Sequence, residues 1–388
     1  MNLTPGNRPS IEAVYIHIPF CIKKCHYCDF VSYPLAGLPV EEYCDAVIAE
    51  AALYAAHADS IQGGIKSIYI GGGTPTSIPA EYLMKMLDQV QDCFPLARNG
   101  EITVECNPKT VDGAYFSKLK RGGVNRLSIG AQAFQDQLLQ RMGRIHLPQD
   151  IGNAVHEAQQ CGIENINLDL IYGLPGQTLD QWKGSLNAAV QLHVPHIAAY
   201  GLKLGEDSFW GKQYQKGLLQ VPDEDASADM FELAMDILAA SGYRQYEISN
   251  FAWPGYFSVH NRVYWNNGTY LGLGVAASSH WQHLRQTNQA ALKRYLQEVQ
   301  EGKFPVGESE IVDFDTALGE TIFLGLRLLE GLNIHEFEKR FGVKINKKYQ
   351  KQLEKLIALD LIACSEDQIK LTRKGIFLAN EVFMEFLP

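Results

Sequence analysis

The sequence predicts an α/β fold: a partial (βα)6 barrel of the TIM type, followed by a small C-terminal winged-helix-like α+β domain. Over the first 200 residues, six short β-rich runs alternate with longer helical patterns, which indicates βαβ units around a parallel sheet. Six units are fewer than the eight of a closed barrel, so we expect an open one. From about residue 308 the pattern changes to closely spaced helices and two short strands.

The alternating elements can be placed in order along the chain. Strands are predicted at residues 13–18, 67–70, 101–105, 126–129, 165–170 and 196–200. Helices are predicted at residues 40–57, 80–93, 113–120, 151–161 and 179–191. Because functional groups gather at the carboxyl ends of parallel strands, the residues that end these strands are the first candidates for a site.

The same patterns divide the chain into four expected regions. These are an N-terminal extension (1–12), the barrel core (13–240), an aromatic and glycine-rich extension (241–307) and the C-terminal domain (308–388). A helix is predicted at 222–240, whereas 243–279 is interpreted as loop and short strand. In the tail we expect helices at 316–329, 333–341 and 349–359, then strands at 362–363 and 369–371.

Composition narrows the class of protein. The formal net charge of −10 argues against a protein whose main task is to coat nucleic acid, so no nucleic-acid partner is expected. The first residues lack the apolar core of a signal peptide, and no run of about 18 apolar residues could span a bilayer. Eight cysteines in 388 residues is ordinary usage for a reducing compartment, so we expect a cytoplasmic protein.

The most informative stretch is residues 15–30, YIHIPFCIKKCHYCDF, in which Cys21, Cys25 and Cys28 follow a strand. Three closely spaced thiolates can hold three irons of a four-iron cluster and leave the fourth iron open to another ligand. The alternative is a zinc site with His17 or His26 as the fourth ligand. Structural zinc usually has a second Cys/His pair, and none follows at finger spacing.

Further candidates follow the next strands. The sequence GGGTPT at residues 71–76 forms either a ligand-binding backbone turn or a plain strand-to-helix turn. Glu105 could accept hydrogen bonds from ribose hydroxyls or be a surface acid. Asp169 lies in an apolar strand and needs a partner, for which Arg144 or a cationic ligand is suitable. Thr178 is expected to cap the following helix.

A second informative stretch is HNRVYW at residues 260–265. His260 beside Tyr264 and Trp265 could be a metal ligand or part of a wall for a flat apolar ring, and histidine is a common axial ligand of haem. The alternative is a capped loop whose aromatic side chains are satisfied within the protein.

The chain carries six motifs in the order YIHIPFC-x3-C-x-YC, GGGTPT, ECNP, SIGAQ, R-x-x-R-x-H and LDLIYGLPGQ. Over residues 13–285 this set resembles the oxygen-independent coproporphyrinogen III oxidase family of radical S-adenosylmethionine (SAM) proteins. The resemblance implies a radical SAM barrel with a [4Fe–4S] cluster on Cys21, Cys25 and Cys28, whose open iron is chelated by SAM. The SAM contacts that it implies are Tyr15, Tyr27, Gly72, Gly73, Thr74, Glu105, Gln132, Arg144 and Asp169.

Two differences favour the haem-chaperone branch of that family over the dehydrogenase. Asp29 and Phe30 follow Cys28, so the fourth cysteine of the dehydrogenases is absent, and HNRVYW matches the H-N-x-x-Y-W motif of the chaperones. The resemblance then implies that the protein binds haem and delivers it to apo-haemoproteins, including respiratory enzymes. It implies no catalytic residue. The alternative is a coproporphyrinogen III dehydrogenase. Homodimer formation, membrane visits and covalent haem attachment stay open. The candidate haem-binding residues are His260, Asn261, Tyr264 and Trp265.

Overall fold

The computed structural model describes residues 11–57, 63–281 and 283–387, so residues 1–10 of the expected N-terminal extension lie outside it. The first half alternates strands and helices, as predicted. Its strands are β1 (Ala13–Ile18), β2 (Phe20–Cys21), β3 (Tyr33–Pro34), β4 (Ile65–Gly72), β5 (Leu96–Cys106), β6 (Arg126–Gln132), β7 (Asn165–Tyr172) and β8 (His196–Gly201). Its helices are α1 (Val40–Ala55), α2 (Ala80–Cys93), α3 (Gly113–Arg121), α4 (Asp136–Met142), α5 (Pro148–Gln160) and α6 (Leu179–Gln191).

Strands β1, β4, β5, β6, β7 and β8 are parallel neighbours in that order, which confirms the open α/β barrel. Their apolar side chains are almost fully buried, as is usual for strands covered on both faces. The predicted cap of α6 is also present, because Thr178 Oγ1 accepts the Gln181 N–H at 3.2 Å. The seven-residue α4 was not predicted, because it is too short to show a helical period.

The segment between the barrel core and the C-terminal domain enlarges the same sheet. It contains α7 (Phe209–Gln215), α8 (Glu224–Ala240), β9 (Arg244–Gln245), β10 (Asn250–Ala252), α9 (Val259–Trp265), β11 (Tyr270–Leu273), β12 (Ser278–Trp281), β13 (Leu284–Asn288), α10 (Leu292–Gln300) and β14 (Val306–Ile311). The order of the 12-stranded sheet is β14-β13-β12-β11-β1-β4-β5-β6-β7-β8-β10-β9. Strand β11 is parallel to β1, and β12 to β14 continue antiparallel from it.

One sequence interpretation is wrong in this segment: HNRVYW is helical rather than loop. The side chain of Ser258 accepts the Asn261 N–H at 3.3 Å and so starts α9. The helix has only seven residues, which is too few to show an apolar period in the sequence.

The C-terminal region has its own sheet and its own core. Its elements are α11 (Phe314–Arg327), β15 (Leu332–Asn333), α12 (Ile334–Phe341), α13 (Ile345–Lys348), α14 (Gln350–Ala358), β16 (Ile362–Cys364), β17 (Gln368–Leu371), α15 (Arg373–Phe377) and α16 (Ala379–Met384). Strand β17 lies between β15 and β16, in an order typical of winged-helix-like folds. Helix α11 packs against α9, which brings this region to the barrel. Within the described residues, no helix is long and apolar enough to cross a membrane.

A buried carboxyl group joins α1 to the antiparallel part of the sheet. Glu50 accepts hydrogen bonds from the Gly274 N–H at 2.8 Å, the Tyr295 hydroxyl at 2.7 Å and Asn288 Nδ2 at 2.6 Å. Burial nevertheless raises the pKa of Glu50 to about 7, because the hydrogen bonds only partly replace water around a charged carboxylate.

This raised pKa predicts that the wild type loses stability, relative to Glu50→Gln, as the pH rises from about 5 to about 8. The folded state keeps the Glu50 proton up to a pH of about 7, whereas an unperturbed carboxyl has a pKa of 4.5. Relative to that of Glu50→Gln, the free energy of unfolding of the wild type should therefore fall by about 3 kcal/mol across this window. Urea unfolding at several pH values, followed by tryptophan fluorescence, measures the change.

Glu366→Gln is the matched control, because Glu366 is exposed in the C-terminal region. Its pH profile should follow that of the wild type. Parallel profiles for the wild type and Glu50→Gln would contradict the prediction.

Candidate functional site

The three cysteines of the predicted cluster lie on one loop that begins at the end of β2. All three are free thiols: Cys21 is buried, and Cys25 and Cys28 are half-buried. The loop is tied to the barrel through His26, whose N–H donates to the Met142 carbonyl at 2.9 Å and whose Nδ1 lies 2.8 Å from the Arg141 carbonyl. These bonds fix the cysteine loop to helix α4 of the barrel.

Polar side chains approach the sulfur atoms of the loop. The Thr74 hydroxyl donates to Cys21 Sγ, and Arg144 Nη1 donates to Cys25 Sγ, both at 3.6 Å. Burial raises the pKa of the Cys21 thiol, and the Thr74 hydrogen bond opposes that rise. Burial also raises the pKa of the Cys28 thiol to about 11, so iron, rather than the protein alone, would stabilise the thiolate forms.

The ligand set on the cysteine loop suits a multi-iron cluster. In the part of the chain that the structure describes, no three Cys, His, Asp or Glu side chains converge on one metal position. Cysteine ligands of a four-iron cluster each bind a different iron, so they need not converge on one point. Three free thiols on one loop, with Arg144 beside them to balance their charge, therefore fit a [4Fe–4S] cluster.

The glycine turn after β4 packs directly on the start of the cysteine loop. The Gly73 N–H donates to the Ile18 carbonyl and the Thr74 N–H to the Phe20 carbonyl, each at 2.8 Å. Gly72 has a φ of +108°, and a Cβ there would come within 2.4 Å of the His17 ring. Only glycine fits this backbone position, which brings Thr74 beside Cys21.

Glu105 is joined to the same turn and is not a surface acid. Its carboxylate accepts the Tyr69 hydroxyl at 2.8 Å and the Gly72 N–H at 3.1 Å. Burial raises the pKa of Glu105 to about 7, and the nearby charge of Asp169 adds to the rise. A carboxyl group held here, half-buried, can accept hydrogen bonds or balance a cationic ligand.

Asp169 has a different partner from the one suggested by the sequence. Its carboxylate accepts Ser128 Oγ at 2.9 Å and Asn167 Nδ2 at 2.8 Å. Arg144 instead donates to the Gly130 carbonyl at 2.6 Å and to Cys25, and no ion pair joins it to Asp169 among the described residues. The suggested direct pair is therefore absent from the described residues. Arg144 acts on Asp169 only through its charge, which opposes the rise of the Asp169 pKa on burial, and a cationic ligand stays the other predicted partner.

The remaining expected SAM contacts also lie around this edge of the sheet. The Tyr15 hydroxyl bonds to His17 Nδ1 at 3.0 Å, and the Tyr27 ring lies 6.1 Å from that of Trp210. Gln132 ends β6 with a φ of 66°. Neighbouring parallel strands thus each carry one of the expected residues: Tyr15 on β1, Gly72 on β4, Glu105 on β5, Gln132 on β6 and Asp169 on β7.

The HNRVYW helix is anchored inside the barrel by its histidine. Glu101 on β5 accepts the N–H groups of Val259 and His260 at 3.1 and 3.2 Å, so a buried carboxylate faces the start of α9. His260 is only 1% exposed, and its Nδ1 and Nε2 bond to Ser67 Oγ at 2.9 Å and to the Tyr264 hydroxyl at 2.8 Å. Burial lowers the pKa of His260 to about 3.

This placement separates the four expected haem residues. Tyr264 and Trp265 line a cavity of about 700 Å³, whereas His260 and Asn261 are not among its described lining residues. Both ring nitrogens of His260 are engaged, so direct contact with iron would require these hydrogen bonds to break. The geometry assigns His260 to holding α9 and Tyr264 in place.

The cavity lies between the cysteine loop, strands β11 to β13 and helix α11. Its walls include Asp29, Phe30 and Val31 of the loop, and Tyr15 and His17 of β1. Sequence reasoning missed most of the opposite side, because those residues come from three strands, the turns beside them and a distant helix. The lining residues on that side are Asn267, Tyr270, Ala276, Ser278, His280, Arg285, Glu320, Phe323 and Leu324.

Comparison with known proteins agrees with this architecture. The Radical SAM superfamily model matches residues 15–189, and the HemN C-terminal domain model matches residues 312–378. The structure of the coproporphyrinogen III oxidase HemN from Escherichia coli superposes with a TM-score of 0.84 at 23% identity, covering 98% of this chain and 90% of that one. This likeness shows the shared fold.

Sequence relatives cover almost the whole chain. The heme chaperone HemW of Bacillus subtilis (strain 168) is 38% identical over 378 residues, which is 97% of this chain and 99% of that protein. The HemW of Escherichia coli (strain K12) is 35% identical over 381 residues, covering 97% and 98%. The chain therefore belongs to the HemW haem-chaperone family of radical SAM proteins.

Proposed function

We propose that this protein is a haem chaperone that binds haem in the 700 Å³ cavity and transfers it to apo-haemoproteins. The observation that carries the proposal is the aromatic cavity beside the cysteine loop, in a chain whose full-length relatives are haem chaperones. The volume lies within the range of about 300–1,000 Å³ that cofactor pockets occupy.

The walls of the cavity suit a flat ring with charged edges. Tyr264, Trp265 and Phe323 offer aromatic surface, which stacks well on a planar apolar ligand. The Arg327 guanidinium covers the Trp265 ring at 4.3 Å from its centroid, which holds that wall in place. Arg285, also in the lining, offers a cation for the carboxylate edge of a porphyrin.

The cofactors are a [4Fe–4S] cluster and SAM. When bound, such a cluster supplies one-electron chemistry and an open iron for SAM. In this chain, Cys21, Cys25 and Cys28 would hold the cluster. The N–H groups of Gly72, Gly73 and Thr74 are bonded within the protein, so the turn offers backbone C=O groups to the amino group of SAM. Tyr15, Tyr27, Glu105, Gln132, Arg144 and Asp169 are the further proposed SAM contacts.

The partners follow from the cargo. Apo-haemoproteins receive the haem, and respiratory haem enzymes are among the proposed clients. We also propose that the protein is cytoplasmic, forms a homodimer and contacts the membrane briefly. No nucleic-acid partner is part of it. The net charge of −10 supports that exclusion, because anionic phosphates repel an acidic protein.

Haem binding can be tested by filling the cavity. We expect the cluster-reconstituted chain to bind about one haem per chain under anaerobic titration, with a saturable Soret band. Ser278→Trp on β12 and Leu324→Trp on α11 should each weaken binding by roughly tenfold or more, since a bulky ring would occupy the space of the porphyrin.

Lys370→Trp, exposed on β17 of the C-terminal sheet, is the matched control and should bind like the wild type. Melting curves show whether each variant folds. No saturable binding by the wild type would overturn the proposed function. Unchanged binding in both cavity-filling variants would place the haem elsewhere.

The cluster ligands give a second prediction. Replacement of Cys21, Cys25 or Cys28 by alanine should abolish the broad visible absorption of the reconstituted cluster and lower the iron content, because each thiolate holds one iron. Cys364→Ala is the control, since Cys364 is an exposed free thiol on β16. A full cluster spectrum in Cys25→Ala would contradict this ligand set.

The dehydrogenase alternative has the same fold as this chain, so the fold does not distinguish the two functions, and an assay decides between them. We expect no conversion of coproporphyrinogen III by the reconstituted chain with SAM and reductant. The reason is that Asp29 and Phe30, which line the cavity after Cys28, stand where the dehydrogenases continue with a fourth cysteine. Product formation at a catalytic rate, measured by chromatography, would establish the alternative.

A further inference from the structure

Three neighbouring strands present one continuous row of polar and aromatic side chains to the cavity. In the sheet register, Tyr270 of β11 is opposite His280 of β12, and His280 is opposite Arg285 of β13. Residues directly opposite each other share a face of the sheet, and all three line the cavity. The Tyr270 and His280 rings lie 6.0 Å apart. The row thus runs from an aromatic end to a cationic end.

The histidines around the cavity differ in how their nitrogens are used. His17 also lines it, but its Nδ1 bonds to the Tyr15 hydroxyl at 3.0 Å and its Nε2 to the Val31 carbonyl at 2.8 Å. His260 has both nitrogens engaged as well. His280 Nδ1 lies 3.4 Å from the Gly268 carbonyl, and its Nε2 has no hydrogen-bond partner among the residues that the structure describes.

From this arrangement we propose that His280 Nε2 is an axial ligand of the haem iron, with Arg285 of the same row beside the porphyrin carboxylates. The assignment rests on the proposed function and names the residue that holds the cargo. It gives His260 a positioning role instead, through α9 and the Tyr264 wall.

The surroundings of His280 are those of a metal-binding imidazole. Metal-ligating histidines usually donate their other ring N–H to a carbonyl or carboxylate, and the Gly268 carbonyl is placed to accept it from Nδ1. That bond would fix the tautomer in which Nε2 carries the lone pair. Burial also lowers the pKa of His280, which favours the neutral form that binds metal.

Two carboxylates form ion pairs with Arg285 and fix its guanidinium at the edge of the cavity. Its Nη2 lies 2.6 Å from Glu320 Oε1, and its Nη1 lies 3.1 Å from Glu310 Oε2. The Arg285 side chain is 36% exposed, so it can also reach a carboxylate of a ligand. Glu320 belongs to α11 and Arg285 to β13. A porphyrin carboxylate bound to Arg285 would therefore lie where the sheet contacts the C-terminal region.

Tyr270 is the competing ligand in the row, since phenolate also binds haem iron in some proteins. Burial raises the pKa of Tyr270, which disfavours the phenolate. No cysteine occurs among the described lining residues, so thiolate ligation has no candidate in the cavity. Imidazole, phenolate and thiolate ligation give different absorption and electron paramagnetic resonance (EPR) spectra, so the ligand can be read directly.

The test compares haem spectra and affinities of full-length, cluster-reconstituted variants titrated with ferric haem. We expect His280→Ala to lose the imidazole-type Soret and EPR signals and to bind roughly tenfold or more weakly. His280→Gly should regain the signals when free imidazole is added. His260→Ala should keep the imidazole-type spectrum, with any loss appearing in its melting temperature.

His283→Ala is the matched control, because His283 is exposed on the adjoining turn and does not line the cavity. His280→Gln keeps a polar side chain of similar size if alanine impairs folding. An unchanged spectrum and affinity in His280→Ala, with saturable wild-type binding, would overturn the ligand assignment alone. Absence of saturable binding by the wild type would overturn the proposed function, and the assignment with it.

Discussion

The site depends on how closely the glycine turn after β4 approaches β1 and the cysteine loop. Gly72 lies against the His17 ring with a φ of +108°, and the Gly73 N–H bonds to the Ile18 carbonyl. A Cβ at Gly72 would lie 2.4 Å from the His17 ring and one at Gly73 would lie 2.8 Å from the Phe20 carbonyl oxygen, so a side chain at either position would force these groups apart. The turn sets the position of Cys21 through the Thr74 hydroxyl. Cofactor chemistry at this edge is therefore determined first by backbone packing.

Buried polar groups beneath that edge do the second part of the positioning. Glu101 faces the start of α9, and Arg126 lies 3.8 Å from it in the barrel interior. One helical turn separates His260, which is buried among these groups, from Tyr264, which reaches the cavity. The seven-residue helix α9 therefore carries both a buried anchoring residue and aromatic residues of the cavity wall. His260 stabilises the helix through its buried hydrogen bonds, whereas Tyr264 and Trp265 face the cavity, where a ligand could contact them.

Sequence reasoning predicted the parallel half of the fold well because its strands are short, buried and apolar, which is a strong local signal. It also placed Cys21 and Gly72 at strand ends. It could not find His280, because the cavity role of that residue depends on the register of β12 between β11 and β13 and on α11. Register and contacts across such distances leave no local periodicity. The Asp169 partner was missed for a related reason, since Ser128 reaches it from the neighbouring strand.

Tyr15 and His17 belong to two parts of the molecule at once. The His17 ring packs against the glycine turn on one side and lines the cavity on the other, and its hydrogen bonds join Tyr15 to the Val31 carbonyl. By thermodynamic linkage, the effects of ligands at the turn and in the cavity on each other's affinity must be equal. Whatever factor a ligand at the turn applies to the affinity for cargo, the cargo applies to the affinity for that ligand. In the function proposed above, haem loading and occupancy of the turn would share one coupling free energy, which changes both affinities by the same factor.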